Sequence, residues 1–99
     1  MSNGNSNRVV VTGIGCISPL GLDIATTWQN MIAGKSGIDH ITLFDAANYK
    51  TRFAGEVKGF DPTSYIGGKE ARRMDRFAQL SVSAAIQAVA QSKLEINSG

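Results

Sequence analysis

The segment 69–89, with the sequence KEARRMDRFAQLSVSAAIQAV, constrains the fold of this chain most, because its charge is confined to one end. Its cations follow the spacing i, i+3, i+4 and i+7, which places them on one face of a helix. They are Lys69, Arg72, Arg73 and Arg76. Residues 78–92 contain no Asp, Glu, Lys or Arg. A helix that is small and apolar all round belongs inside a larger body. The pattern therefore predicts one long buried helix whose basic end meets a surface.

The basic end of this helix is better explained by an acidic partner than by helix stability. Cations near a helix N-terminus meet the positive end of the macrodipole, at a cost of about 0.3–1 kcal/mol each. Arginine favours bidentate contacts with carboxylate or phosphate groups. Nucleic acid is disfavoured, because the net charge is only +2 and no aromatic residue is interleaved with the cations. A small basic-helix binding module for an acidic protein or a nucleic acid is one alternative.

Upstream of this helix the sequence predicts two strands and a helix. Residues 8–12, RVVVT, predict a strand buried on both faces, because three valines stand between a charge and a glycine. A helix is predicted from residue 24 to about residue 33, with Asp23 as its N-cap, Trp28 in the core and Gly34 beyond its end. Residues 51–57 predict a second strand with Gly55 at a bulge or close approach. Shorter segments follow the same reasoning: an extended piece at 38–43 and a helical turn at 61–63.

Three features that suggest chemistry have better structural explanations. The run VVVTGIG resembles a dinucleotide-binding turn, but Ser18 stands where the third glycine is needed, and the next helix starts eight residues after Gly15. Cys16 has no basic neighbour and follows a predicted buried strand, so we expect it to act as a small hydrophobe. His40 is the single histidine and lies in a loop without a ligand at metal-binding spacing. The segment therefore predicts no catalytic residue and no metal site of its own.

The length and composition of the chain set its organisation. With 99 residues the chain is at most one small domain, and we expect residues 1–7 to be a disordered lead before an ordered part from 8 to 99. One cysteine excludes an internal disulfide and fits a reducing compartment. No apolar run approaches the roughly 18 residues of a membrane span, and no secretory signal opens the chain. Membrane partners are thus not expected.

Four stretches together resemble a known family: VVVTGIGCISPLG, TTWQNMIAGKSGI, FAGEV and the segment 69–89. They resemble the opening of a β-ketoacyl-acyl-carrier-protein synthase, and within that family synthase II of bacterial fatty-acid synthesis. The resemblance covers residues 8 to about 96. Because members of the family are several times longer than 99 residues, it implies that residues 8–99 are the N-terminal part of an incomplete domain.

The resemblance implies an α/β thiolase-like fold of two βαβαβαββ halves, in a cytoplasmic homodimer without a cofactor. It implies that a cysteine accepts an acyl chain from acyl carrier protein (ACP), that malonyl-ACP is decarboxylated, and that the carbanion attacks the thioester. Two histidines would assist the decarboxylation and stabilise the developing oxyanion. Neither Cys16 nor His40 matches a catalytic position. The implied docking surface for the acidic helix of ACP comprises Lys69, Arg72 and Arg73, with Arg76 on the same helical face.

Overall fold

The computed structural model describes residues 7–95, which form three α-helices, one antiparallel pair of strands and a 3-10 turn. The two strands pair with Ile38 opposite Gly55 and His40 opposite Phe53. The element bounds are α1 Ile24–Ile32, β1 Ile38–His40, β2 Phe53–Gly55, the 3-10 turn Pro62–Ser64, α2 Gly68–Arg72 and α3 Arg76–Ser92. The predicted disordered lead lies outside the described residues, except for Asn7.

Helix α1 follows the prediction at both ends. The Asp23 carboxylate accepts a hydrogen bond from the Thr26 backbone N–H at 2.7 Å, which satisfies one of the unpaired donors of the first turn. This hydrogen bond also lowers the pKa of Asp23. Gly34 lies beyond the helix with φ of 75°, a left-handed conformation that glycine adopts without strain. The placement of Trp28 in the core is wrong for the described part of the chain, where 57% of this residue is exposed.

The predicted buried strand at residues 8–12 does not form. Its residues are in no strand, and Val9, at 93% exposure, is the most open of its three exposed valines. A strand needs an edge with which to pair, and within residues 7–95 the sheet contains β1 and β2 alone. The apolar sequence of this segment is therefore not matched by a partner in the described chain.

The chain that follows crosses directly over α3. A Cβ atom at Gly13 would overlap the carbonyl oxygen of Ala88, and one at Gly15 would overlap that of Ala84. Both glycines are therefore needed for a close approach of two backbones. The two glycines of the TGIG sequence therefore serve the packing of this segment against α3.

Glutamine side chains of α3 satisfy the backbone of this crossing segment. The Ile14 N–H donates to Gln91 Oε1 at 2.6 Å, and the Cys16 N–H donates to Gln87 Oε1 at 2.9 Å. The amide of Gln87 also donates to the Leu22 carbonyl oxygen at 2.7 Å. These contacts join residues more than 60 positions apart in the chain and fix its first third onto the last helix.

The predicted long helix is divided into α2 and α3. Arg73 closes α2 with φ of −89° and ψ of −5°, and its N–H donates to the Glu70 carbonyl oxygen. Asp75 is extended, with ψ of 161°, and stands as the N-cap of α3. Helical periodicity continues through these residues in the sequence, whereas the backbone does not, so the prediction of a single helix is wrong.

The uncharged body of α3 is covered on one face only by the described residues. Ser83 has no exposed surface, but Val82, Ile86 and Val89 on another face of the helix are exposed and line an open apolar groove. Among the described residues this face is not covered. Residues 7–95 do not supply the covering surface, so burial of this helix inside a larger body stays a prediction.

The antiparallel ribbon is closed by a buried carboxylate. Glu56 accepts hydrogen bonds from the Thr42 and Leu43 backbone N–H groups, each at 3.0 Å, and from the Thr42 hydroxyl at 2.8 Å. Lys58 Nζ lies 2.7 Å from the same carboxylate. The lysine and these N–H and O–H donors together lower the pKa of Glu56 to about 2, against an opposing contribution from burial.

We predict that Glu56→Gln lowers stability at pH 7 and that the difference from the wild type narrows in acid. A carboxylate whose pKa falls from 4.5 to about 2 on folding stabilises the fold above about pH 4.5, and this contribution is lost as the pH falls towards 2. Urea midpoints at pH 7 and pH 3 measure the two differences. Glu95→Gln, at an exposed position outside the helices and strands, is the matched control. An equal difference at both pH values would show that the ionised form is not what stabilises the ribbon.

We predict that Gly15→Ala destabilises the protein by about 1–3 kcal/mol, because a methyl group must push the crossing segment away from α3. The control is Gly67→Ala, at a position with φ of −55° where a Cβ atom meets nothing within 4 Å. Denaturant midpoints compare the two variants. Similar midpoints would contradict the close approach of the two backbones.

Candidate functional site

Three of the predicted site residues lie together at the end of α2. Lys69 and Arg72 belong to the helix, Arg73 is its C-cap, and all three are exposed. Within residues 7–95 the only ion pair joins Lys58 and Glu56, so no carboxylate of this part neutralises the three cations. Lys69, Arg72 and Arg73, called the basic cluster below, therefore present their charge to solvent.

The division of the helix reverses the electrostatic argument made from the sequence. Arg72 lies in the last turn of α2 and Arg73 at its C-cap, where the negative end of the macrodipole favours a cation. Glu70 occupies the first turn, where an anion is favoured. The expectation that the cations oppose the helix dipole is therefore wrong for Arg72 and Arg73, whereas Arg76 does stand at the first position of α3. What distinguishes the cluster is its exposure and its lack of a carboxylate partner in the described residues.

Arg76 is separated from the basic cluster. It is the first residue of α3, and its Nη2 donates to the Val57 carbonyl oxygen at 3.0 Å. Its guanidinium also lies over the Phe60 ring, 5.7 Å from the ring centroid, at a cation–π distance. The prediction that Arg76 shares one helical face with the other cations is therefore wrong.

The orientation of α2 depends on a residue that sequence reasoning missed. Gln79 Nε2 donates to the Ala71 carbonyl oxygen at 2.8 Å, across the break between the two helices. The 3-10 turn, which precedes α2 in the chain, contacts both helices. Helical periodicity gave no signal for Gln79, since its partner follows from a break that the pattern does not show.

Cys16 and His40 lie in different surroundings. Cys16 is half-buried, and its Sγ lies 3.6 Å from the Thr27 hydroxyl, which in turn lies 2.9 Å from the Ser18 hydroxyl. His40 is exposed at the end of β1, and its backbone N–H donates to the side chain of Asp39. No base lies beside the thiol in these contacts. The two residues are not brought together into one site, and their non-catalytic assignment stays a prediction.

The dinucleotide interpretation finds no support in the turn after Gly15. Ser18 and Gly21 exchange backbone hydrogen bonds of 2.8 and 3.1 Å, which closes a tight loop before α1. The first turn of α1 is capped by its own Asp23 carboxylate, which occupies the place an anionic phosphate would take. Neither a group of three metal-binding side chains nor a helix able to cross a membrane is found among residues 7–95.

Comparisons with known proteins agree on one family. Residues 6–98 match the family described as "Beta-ketoacyl synthase, N-terminal domain". The chain is 50% identical over 93 residues to 3-oxoacyl-[acyl-carrier-protein] synthase 2 of Vibrio cholerae, a match covering 94% of the chain and 22% of that relative. It is 48% identical over 97 residues to the protein of the same name from Synechocystis, with 98% and 23% covered. The chain thus spans about a fifth of the length of these relatives.

A solved structure extends the likeness to the fold. The ishigamide ketosynthase/chain length factor superposes with a TM-score of 0.79 at 35% identity, over 87% of this chain and 21% of that one. This match confirms the thiolase-like α/β fold, and the relatives confirm the resemblance to synthase II. The glycines packed on α3 and the helix that carries the basic cluster both lie within the matched residues. The chain therefore belongs to the β-ketoacyl synthase family.

Proposed function

We propose that this chain is the N-terminal part of a β-ketoacyl-ACP synthase of the synthase II type, which elongates fatty acids. An enzyme cysteine takes the acyl group from acyl-ACP and releases the carrier thiol. Malonyl-ACP then loses CO₂, and the resulting carbanion attacks the acyl-enzyme thioester, which frees the cysteine and leaves β-ketoacyl-ACP. The coverage of about a fifth of each relative supports the assignment of the cysteine and histidines to other parts of the enzyme.

Within that enzyme, we assign two roles to residues 8–99. The first is structural, since the segment contributes helices and strands to the thiolase-like domain of a cytoplasmic homodimer. The exposed valines of residues 9–11 and the open groove of α3 support this role, because both are apolar surfaces that a larger body would cover. The second role is the docking of ACP.

The docking role rests on one observation: the basic cluster is exposed and has no carboxylate partner within residues 7–95. Two exposed arginines, consecutive in the chain, and a lysine at one helix end suit a surface of several carboxylates, such as the acidic helix of ACP. Arg76 is the weaker member of the predicted set, because Val57 and Phe60 already hold its guanidinium.

We predict that reversing the basic cluster to Lys69→Glu, Arg72→Glu and Arg73→Glu raises KM for acyl-ACP and malonyl-ACP by about tenfold or more. Like charges placed opposite each other at an interface cost several kcal/mol. Small acyl thioester analogues without the carrier should be used as before, because they make no contact with the cluster. Steady-state kinetics with both substrate types in the complete synthase measure the difference.

Lys35→Glu with Lys50→Glu is the matched control, since both lysines are exposed and lie outside the basic cluster. This variant should leave KM for both substrate types close to the wild-type value. Equal losses with carrier-bound and small substrates after reversal of the cluster would refute the docking role, as would an unchanged KM for ACP substrates.

We predict that Cys16→Ser leaves condensation largely intact. A serine hydroxyl can keep the contact with Thr27 and needs no change in the backbone hydrogen bond to Gln87. Intact-protein mass spectrometry after incubation with acyl-ACP should show the same acyl-enzyme in variant and wild type. Loss of the acyl-enzyme in the variant would identify Cys16 as the nucleophile and overturn its structural assignment.

A further inference from the structure

Helix α2 is too short to hold its own position. It has five residues, and its N-cap Gly67 offers no side-chain hydrogen bond to the first turn. A helix of this length is marginal in water unless tertiary contacts hold it. The direction in which the basic cluster projects therefore depends on the contacts that attach α2 to the rest of the chain.

Gln79 supplies one of these contacts at a defined point. Its amide donates to the carbonyl oxygen of Ala71 at 2.8 Å, and Ala71 is only 3% exposed. This carbonyl lies in the last turn of α2, where it also accepts the Met74 backbone N–H at 3.1 Å, so the Gln79 amide is its second donor and the one that comes from within α3. The Gln79 backbone N–H donates to the Asp75 carbonyl oxygen in the first turn of α3. One residue therefore links the end of α2 to the beginning of α3.

A second contact holds the same corner from the other side. Arg76 is fixed to the Val57 carbonyl oxygen and lies over Phe60. It fixes α3, however, and not α2. Its positive charge would also confuse any test, because removing it changes the electrostatics near the basic cluster. Gln79 is neutral and touches α2 directly, so its effect on orientation can be measured separately.

We infer that Gln79 is a positioning residue for carrier-protein docking: its amide holds α2 against α3 and sets the direction in which Lys69, Arg72 and Arg73 project. This inference rests on the proposed docking role of the basic cluster. In this role Gln79 does not touch the substrate and acts only through α2. Its contribution is to hold in advance a geometry that the partner would otherwise have to impose on binding.

The test is Gln79→Met in the complete synthase, because methionine keeps the length of the side chain and removes the donor. KM for ACP substrates should rise by about threefold to tenfold, while kcat and the use of small thioesters stay unchanged. Gln91→Met is the matched control. It removes a glutamine contact from the other end of α3, to the Ile14 N–H, far along the helix from α2. KM for ACP substrates should not change in this variant.

A double-mutant cycle separates positioning from a general effect on the fold. When Lys69, Arg72 and Arg73 are all changed to alanine, Gln79→Met should have no further effect on KM, since there is no charge left to aim. If Gln79→Met still raises KM in that background, or raises it no more than Gln91→Met does, the positioning role is overturned while docking stands. If the triple alanine variant itself leaves KM unchanged, the docking proposal and this inference both fail.

Should Gln79→Met not give folded enzyme, Gln79→Ala with Gln91→Ala as control makes the same comparison, because alanine favours the helix and introduces neither bulk nor charge. The expected and contradicting results are the same as for the methionine pair.

Discussion

The close contact between the segment 13–16 and α3 is the interaction on which the described structure depends. It requires two residues without a Cβ atom, Gly13 and Gly15, since any side chain there would overlap the helix backbone. It also requires polar side chains on the helix, because a non-helical backbone laid on a helix keeps its N–H groups unpaired. Gln87 and Gln91 accept from these groups. The contact therefore needs two kinds of residue: glycines in the crossing segment and amide side chains on the helix.

Glutamine suits this position better than a charged side chain of similar length. A neutral amide both donates and accepts, so Gln87 receives the Cys16 N–H while it donates to the Leu22 carbonyl oxygen and the Tyr65 hydroxyl. A carboxylate could only accept in that half-buried place, and an ammonium could only donate. The absence of charge between residues 78 and 92, which suggests burial when read as a sequence, has this second explanation. The helix is uncharged partly because neutral glutamine amides make its side-chain hydrogen bonds to the crossing segment.

What the sequence predicted correctly is local. The N-cap at Asp23, the glycine after α1, and the helical turn near residue 62 depend on neighbours within a few positions, and the structure has all three. The predicted strand at 51–57 is found as the shorter β2, and Gly55 does make a close approach, to the ring of Pro19. Family membership was recognisable because several such local patterns occur together.

What the sequence did not predict depends on contacts distant in the chain. The sequence pattern of residues 9–11 predicts a buried strand, because valine prefers strands, but it does not show whether a partner strand is present. In the structure these valines are exposed. The break at residues 73–75 leaves no mark on the helical periodicity of the sequence, since neither proline nor glycine stands there. In the candidate site, residue types identified the cations, whereas the arrangement of Arg76 and Gln79 could be found only from the structure.

The break also explains why a basic cluster can be placed here without loss of helix stability. In one continuous helix, Arg72 and Arg73 would lie in the first turns, against the positive end of the dipole. In two helices they lie at the end of α2, and the same charges are stabilised by its last carbonyls. The cation that must begin α3, Arg76, is given a carbonyl oxygen and an aromatic ring instead. An exposed cluster without a carboxylate partner among residues 7–95 is therefore compatible with a stable fold, because the end of α2 supplies a favourable backbone dipole.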